Sequence, residues 1–228
     1  YIIRHAEPDY ANDTITPAGH LEARALAERL EKEGITRIFC SPLGRARDTM
    51  RYTADRLGLP WQIEEWLREL DIGMPVQDDA LGKVCFWDMN AESTFKSGVP
   101  TWDNWWRNPT LTPTPVRAKL DWVRENSDRF LAGLGYVRHG GIYRAERPTA
   151  EKVAVFCHNG LGLNWLSLLL QIPPPLAWQG FWMPPTSVTT ILMNEHSHGV
   201  FNPRCLGLGD VSHLFHSNLP VSPAGVWG

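Results

Sequence analysis

Three short apolar runs, each broken off by polar residues, constrain the fold of this 228-residue chain most strongly. Each run has the length of a buried strand and is followed directly by side chains that can bind or react. The runs and the residues after them are 1–3 with Arg4 and His5, 35–40 with Ser41, and 152–157 with His158. Helical patterns lie between them, and strands that alternate with helices are typical of an α/β fold with a largely parallel sheet.

The stretches after the first two runs carry the start and stop signals of helices. Thr16 before Pro17 predicts an N-cap and a first helical residue, and Gly34 predicts the end of that helix. A second helix is predicted to open at Ser41-Pro42 and to end near Gly58. Both helices therefore begin shortly after the polar residues that close a strand.

The rest of the chain is less regular. An apolar helix that stops before a run of three prolines is predicted over 160–170, and a β-branched strand over 187–193. The middle of the chain contains a predicted helix over 116–131 and a predicted hairpin around Gly140-Gly141. It also holds a cluster of tryptophans that either form a local core or line a pocket. These are Trp87, Trp102, Trp105 and Trp106.

Together these elements predict one domain over residues 1–228, built on a three-layer, doubly wound, mostly parallel sheet. Its core would comprise residues 1–70 and 150–216. Residues 71–149 would form an irregular, partly helical cap inserted into that core. Because such a cap would overhang the site, we expect it to determine substrate specificity.

Composition excludes several classes of protein. The net charge of −3 gives no basic excess for binding nucleic acid, and every apolar run is too short to span a membrane. The four cysteines lack the spacing of zinc ligands, so we expect reduced thiols and a cytoplasmic protein. The chain begins at Tyr1 inside a predicted strand, and we expect further residues to precede it. Nothing in the sequence specifies an oligomeric state.

The polar residues at the strand ends predict an anion site. Ligands of open α/β sheets bind beyond the carboxyl ends of the strands, so Arg4, His5 and His158 should converge there. Arg45 follows in the first turn of the second helix, and Asn159 opens a helix whose N-terminal N–H groups can bind an anion. Guanidinium groups, imidazoles and a helix N-terminus suit a phosphate dianion.

This set of groups also predicts a reaction. Phosphoryl transfer mainly requires positioning and neutralisation of charge, and a neutral imidazole held in line with phosphorus can attack it. Nearby arginines would disfavour the imidazolium form and keep His5 nucleophilic. Because arginines supply the positive charge, we expect neither a metal nor a cofactor. The expected partner is a small phosphorylated substrate.

The order of the motifs resembles that of the histidine phosphatase superfamily, in its phosphoglycerate-mutase-like branch. The resemblance covers the predicted core and almost none of the predicted cap. The matching segments are Arg4-His5-Ala6-Glu7, Ile15-Thr16-Pro17-Ala18-Gly19, Ser41-Pro42-Leu43-Gly44-Arg45-Ala46 with Thr49, Leu67-Arg68-Glu69-Leu70-Asp71-Ile72-Gly73, and Val155-Phe156-Cys157-His158-Asn159-Gly160. Each segment alone is a weak signal, whereas the ordered set is a strong one.

The resemblance implies roles for individual residues. His5 would be the nucleophile and would carry the phosphoryl group as a transient phosphohistidine, while Arg4, Arg45 and His158 would bind that group. Glu69 would be the general acid that protonates the leaving oxygen and later deprotonates water. The sequence leaves Asp71 as a competing choice for this acid.

Departures from the family pattern bear on the reaction. The mutases usually carry His-Gly-Asn at the second histidine, whereas this chain has His158-Asn159-Gly160, and Ala6 replaces a usual glycine. These changes favour a phosphatase, or phosphomonoesterase, over a mutase. A phosphoglycerate-type mutase and a non-catalytic protein that binds phosphorylated ligands stay open as alternatives.

Overall fold

Most strands of the computed structural model, which describes residues 1–70, 75–145 and 147–225, join one eight-stranded sheet. The strands are β1 Ile2–Arg4, β2 Pro8–Asp9, β3 Thr14–Ile15, β4 Arg37–Cys40, β5 Trp61–Ile63, β6 Pro75–Asp78, β7 Gly82–Cys85, β8 Val137–His139, β9 Ile142–Arg144, β10 Val153–Cys157, β11 Val188–Ser197 and β12 Val200–Asp210. The helices are α1 Pro17–Glu33, α2 Gly44–Leu57, α3 Ala91–Phe95, α4 Val116–Gly133, α5 Asn159–Leu170, α6 Pro174–Gly180 and α7 Ser212–His216.

The order of the main sheet is β5-β4-β10-β1-β11-β12-β9-β8. The neighbours β5, β4, β10 and β1 pair in parallel, and each later pairing, from β1–β11 to β9–β8, is antiparallel. The α/β class and the parallel core are as predicted. The long strand β12 was not predicted, because Pro203 and several glycines mask its pattern.

Alternation along the parallel strands divides the interior into two hydrophobic clusters. Ile3 and Phe156 pack in one cluster with residues of α1 and α2, whereas Ile2 and Val155 pack in the other with residues of α4 and α5. Successive side chains of a strand point to opposite faces of its sheet, so both faces of these strands are covered. The layers are therefore helix, sheet and helix.

Local signals place the helix ends. Thr16 Oγ1 accepts a hydrogen bond from Gly19 N at 3.0 Å, and Gly34 adopts the left-handed conformation after α1, as predicted. The helix α2 starts at Gly44, three residues later than predicted, and Gly58 follows its last residue. Ser41 precedes the helix, where its Oγ lies 2.7 Å from His158 Nε2 and accepts from Leu43 N at 3.3 Å.

The middle of the chain adds the β6–β7 hairpin, two short 3-10 segments, α3 and α4. The predicted hairpin around Gly140 is confirmed as β8 and β9. The sequence pattern assigned it to the cap, and the structure joins it to the main sheet through pairing of β9 with β12. No helix among the described residues is long and apolar enough to cross a membrane.

Candidate active site

His5, His158 and Ser41 are the first residues beyond three neighbouring parallel strands, β1, β10 and β4. The sheet hydrogen bonds continue to this edge, where His5 N donates to Cys157 O at 3.0 Å and Ser41 N donates to Phe156 O at 2.9 Å. The centroids of the two imidazole rings are 5.1 Å apart. The predicted convergence of both histidines at one edge of the sheet is thus present.

A cavity of about 520 Å³ opens at this edge. Residues from the strand ends line it together with residues that follow β7 in the middle of the chain. The described lining residues are Arg4, His5, Tyr10, Asp13, Leu43, Arg45, Glu69, Cys85, Trp87, Asp88, Asn159 and Gly225. Five of the six residues predicted for the site therefore face one space. The sixth, His158, is fully buried and reaches the site through its contact with His5.

The hydrogen bond of His5 determines which ring nitrogen can react. Its Nδ1 lies 2.7 Å from the carbonyl oxygen of Ala6. A carbonyl oxygen only accepts, so Nδ1 carries the proton and the lone pair of the neutral ring resides on Nε2. The backbone that follows is held as well, because Ala6 N donates to Thr49 Oγ1 at 2.8 Å. Nε2 is therefore the candidate nucleophilic atom.

Both imidazoles are held neutral. Burial is the largest cause that lowers the pKa of His5 well below its ordinary value, and the charges of Arg4 and Arg45 lower it further. Burial likewise lowers the pKa of His158, with a further contribution from His5. The sequence predicted that arginine charge keeps His5 neutral, and in the structure burial lowers the pKa of His5 more than the arginines do. A neutral His5 is the form that can attack phosphorus.

The two arginines are fixed by different partners. Arg4 is 2% exposed and donates to Met183 O at 2.7 Å and to Ala224 O at 2.9 Å. Arg45 pairs with Asp13 through Nη1 and Oδ1 at 2.7 Å. In both guanidinium groups the Nε atom is buried without a hydrogen-bond partner in the described part of the chain. Each therefore retains a donor that an oxyanion could satisfy.

Glu69 occupies the N-terminus of α5. Its carboxylate accepts from Gly160 N at 3.0 Å and from Leu161 N at 2.8 Å. The sequence predicted that N–H groups at this helix start bind a phosphate, whereas in the structure those of Gly160 and Leu161 donate to the Glu69 carboxylate, since the N-terminus of a helix favours an anion. Asn159 lines the cavity and accepts from Met183 N at 3.3 Å. The competing acid Asp71 lies outside the described residues.

A family model described as the histidine phosphatase superfamily, branch 1, matches residues 1–202. The chain belongs to this superfamily. The match extends over most of the chain and includes every residue that the sequence predicted for the site. The resemblance inferred from the five ordered motifs is confirmed.

Two curated relatives of the chain carry different names. A Hydrogenobacter thermophilus protein provisionally named phosphoserine phosphatase 2 is 28% identical over 64% of this chain and 74% of the relative. An Enterobacter protein provisionally named phosphoglycerate mutase GpmB is 36% identical over 32% of this chain. The second match spans 39% of the length of that relative.

Solved structures of two phosphatases share the fold. A phosphoserine phosphatase from Entamoeba histolytica, in complex with 3-phosphoglyceric acid, covers 93% of this chain and 97% of its own with a TM-score of 0.62 and 18% identity. A mycobacterial glucosyl-3-phosphoglycerate phosphatase covers 90% of this chain and 94% of its own, with a TM-score of 0.55 and 22% identity. At these sequence identities the structural similarity establishes a shared fold alone.

Sequence reasoning missed several residues of the cavity. Asp13 comes from the loop between β2 and β3, adopts a positive φ of 48°, and reaches Arg45 and the N-terminus of α2. Asp88 and Trp87 come from a 3-10 segment after β7. For Trp87 the tryptophan cluster was a usable signal, since lining a pocket was one of its two expected roles. No pattern in the sequence marks Asp13 or Asp88.

Gly44 makes a close approach that a larger residue would disrupt. A Cβ atom at this position would lie 2.0 Å from the backbone oxygen of Asp13. We expect Gly44→Ala to lower the free energy of unfolding by about 1–3 kcal/mol and to weaken phosphate binding, because the Asp13–Arg45 pair must shift. Urea denaturation and calorimetric phosphate titration measure both effects. Gly133→Ala, whose Cβ would have no neighbour within 4 Å, is the control and should not destabilise.

We expect Glu22 to make the stability of the protein depend on pH. Its side chain is 3% exposed and accepts from Glu7 N at 2.8 Å, and burial raises its pKa from 4.5 to about 7. The folded protein therefore binds this proton more tightly than the unfolded chain, and stability falls as pH rises from 4.5 to about 7. Glu22→Gln should remove this loss, stabilising the protein at pH 8 by up to about 3 kcal/mol relative to wild type.

Denaturation at pH 5 and pH 8 tests the role of Glu22. The exposed Glu28 lies on the same helix, so Glu28→Gln is a matched control and should retain the wild-type dependence on pH. An unchanged difference between the two pH values in Glu22→Gln would contradict the prediction.

Proposed function

We propose that this protein is a phosphatase that hydrolyses a phosphomonoester through a phosphohistidine intermediate on His5. The observation that supports this most directly is the state of that ring. Its Nδ1 proton is donated to Ala6 O, its low pKa keeps it neutral, and Arg4 and Arg45 line the same cavity. A neutral nucleophile beside two fixed cations is the arrangement that attack on a phosphate dianion requires.

The proposed first step transfers the phosphoryl group to the protein. Nε2 of His5 forms a bond to phosphorus while the bond to the alcohol oxygen breaks, and Glu69 gives that oxygen a proton. Arg4 and Arg45 neutralise the charge of the transferring group. His158, whose Nε2 lies 2.7 Å from Ser41 Oγ, helps to bind the phosphoryl group next to His5.

The proposed second step returns the site to its starting state. A water molecule attacks phosphorus, its proton passes to the Glu69 carboxylate, and the bond between phosphorus and His5 Nε2 breaks. Inorganic phosphate leaves, and His5 is again neutral. The two guanidinium groups supply the positive charge in both steps, so the mechanism places no metal at the site.

The phosphatase is preferred to a mutase because of the residues after the second histidine. Asn159, which follows His158, is engaged with Met183 N at 3.3 Å, and Gly160 donates to Glu69. A mutase must also retain its phosphoenzyme for the return of a second substrate. The proposed arrangement keeps a carboxylate beside the nucleophile, where it can activate water.

Hydrolysis of phenyl phosphate in EDTA tests the proposal. We expect turnover with release of inorganic phosphate and no dependence on added metal. A coupled mutase assay with phosphoglycerate, run with and without a bisphosphorylated primer, should show no turnover. If phosphate raises the melting temperature while no monoester is hydrolysed, the protein is a non-catalytic binder and the proposal is wrong.

A further inference from the structure

A second cavity adjoins the one that contains His5. Its volume is about 480 Å³, within the range of sites that bind small organic molecules. The two cavities share Trp87, Asp88, Asn159 and Gly225 as lining residues. The two cavities are therefore neighbours, and we call the second one the side cavity.

Aromatic and apolar side chains dominate the side cavity. Trp87 precedes Asp88 in the 3-10 segment after β7, Trp178 belongs to α6, and Trp182 follows α6. Phe181 and Leu81 add further apolar surface. Indole rings offer large flat faces to which another aromatic ring can stack or pack edge-to-face.

The side cavity has little to offer a charged group. Asp88 is the single ionisable side chain among its described lining residues. Two amide side chains line the side cavity but not the first cavity, and both donate hydrogen bonds to residues in the middle of the chain. Asn90 donates to Asp78 Oδ1 at 2.8 Å, and Gln179 donates to Met89 O at 2.6 Å. No cationic side chain lines the side cavity among the described residues, so a carboxylate bound here would lack a cationic partner.

We propose that the side cavity binds the leaving group of the substrate and that this group is an uncharged alcohol carrying a large aromatic ring system. The inference rests on the proposed phosphatase function and names the substrate class of the same site. It separates this chain from any phosphatase whose substrate carries a carboxylate beside the phosphate. Specificity comes from contact of the aromatic group with the half-buried rings of Phe181 and Trp182, and from the lack of a cationic side chain among the described residues of the side cavity, which disfavours anions.

Three aryl phosphates with leaving groups of similar acidity test this inference in EDTA. They are phenyl phosphate, 2-naphthyl phosphate and 4-carboxyphenyl phosphate, so ring size and charge vary while the chemistry stays the same. We expect kcat/KM for the naphthyl ester to exceed that for the phenyl ester by at least about tenfold. The carboxyphenyl ester should be hydrolysed at least about tenfold less efficiently than the phenyl ester.

Two variants locate the effect. Trp182→Ala should bring the naphthyl-to-phenyl ratio close to one, and Trp122→Ala should leave it unchanged, because Trp122 lies on α4 and lines neither cavity. Leu81 is 45% exposed, so Leu81→Arg should fold normally and supply the missing cation. We expect Leu81→Arg to raise kcat/KM for the carboxyphenyl ester relative to the phenyl ester by about tenfold.

The outcomes separate this inference from the proposed function. Hydrolysis of all three esters with equal kcat/KM, or best hydrolysis of the carboxyphenyl ester, would overturn the aromatic substrate class and leave the phosphatase intact. A naphthyl preference that survives in Trp182→Ala, or a carboxyphenyl-to-phenyl ratio that Leu81→Arg does not change, would place the aromatic ring elsewhere and overturn the inference. If none of the esters is hydrolysed, the proposed function fails first.

Discussion

His5→Ala is expected to abolish hydrolysis, lowering kcat by at least about 10⁴-fold, because His5 is the residue proposed to carry the covalent intermediate. The neutral ring with its Nε2 lone pair disappears, while the alanine leaves Arg4 and Arg45 in place to bind phosphate. We therefore expect phosphate binding, measured by calorimetry, to weaken far less than turnover. Wild-type protein quenched during turnover of a radiolabelled ester should carry label that is stable in alkali and lost in acid, as for phosphohistidine.

His139 provides the control for this substitution. It is an exposed histidine at the end of β8, and His139→Ala should retain both turnover and labelling. Label that persists in His5→Ala would place the intermediate on another residue. Activity in His5→Ala within tenfold of wild type would refute covalent catalysis by this ring altogether.

Local rules explain why much of the fold was predictable. Thr16, Pro17 and Gly34 act through their own backbone and their nearest neighbours, so the ends of α1 follow from the sequence. The parallel core follows from apolar runs of strand length. The meeting of His5 with His158 needed one further rule, that parallel strands present their carboxyl ends at a common edge.

Contacts between distant loops were not predictable in the same way. Asp13 reaches Arg45 only because the loop between β2 and β3 folds back over the start of α2, and no sequence period encodes that path. The position of Glu69 was predicted as part of a motif, yet its bonds to the N-terminus of α5 depend on how two separate segments pack. The side cavity likewise needs residues from α6 and from the segment after β7 to be brought together.

Replacement of Glu69, the proposed general acid, is the second substitution for which we expect a large effect. Glu69→Gln should lower kcat by about 10²–10⁴-fold for an alkyl phosphate, whose leaving oxygen must be protonated. The loss should be much smaller for 4-nitrophenyl phosphate, whose leaving group departs without a proton. Pre-steady-state measurement of alcohol release for both esters isolates the first step from hydrolysis of the intermediate.

Two leaving groups must be compared because the Glu69 carboxylate also accepts hydrogen bonds from the N-terminus of α5, so its replacement removes structural contacts as well as an acid. A purely structural loss at Gly160 and Leu161 would slow both esters equally, since it displaces the site whichever alcohol departs. Asp88→Asn is the matched control, because it removes another carboxylate that lines the same cavity and leaves the N-terminus of α5 intact. We expect it to change both esters by the same factor.

The possible outcomes decide which carboxylate is the general acid. If Glu69→Gln slows both esters equally and Asp88→Asn slows the alkyl ester selectively, Asp88 is the proton donor and the role of Glu69 is structural. If neither variant distinguishes the esters and Asp71→Asn does, the donor is the competing residue of the sequence motif. A loss confined to the alkyl ester in Glu69→Gln alone makes the carboxylate at the start of α5 the group that releases the alcohol.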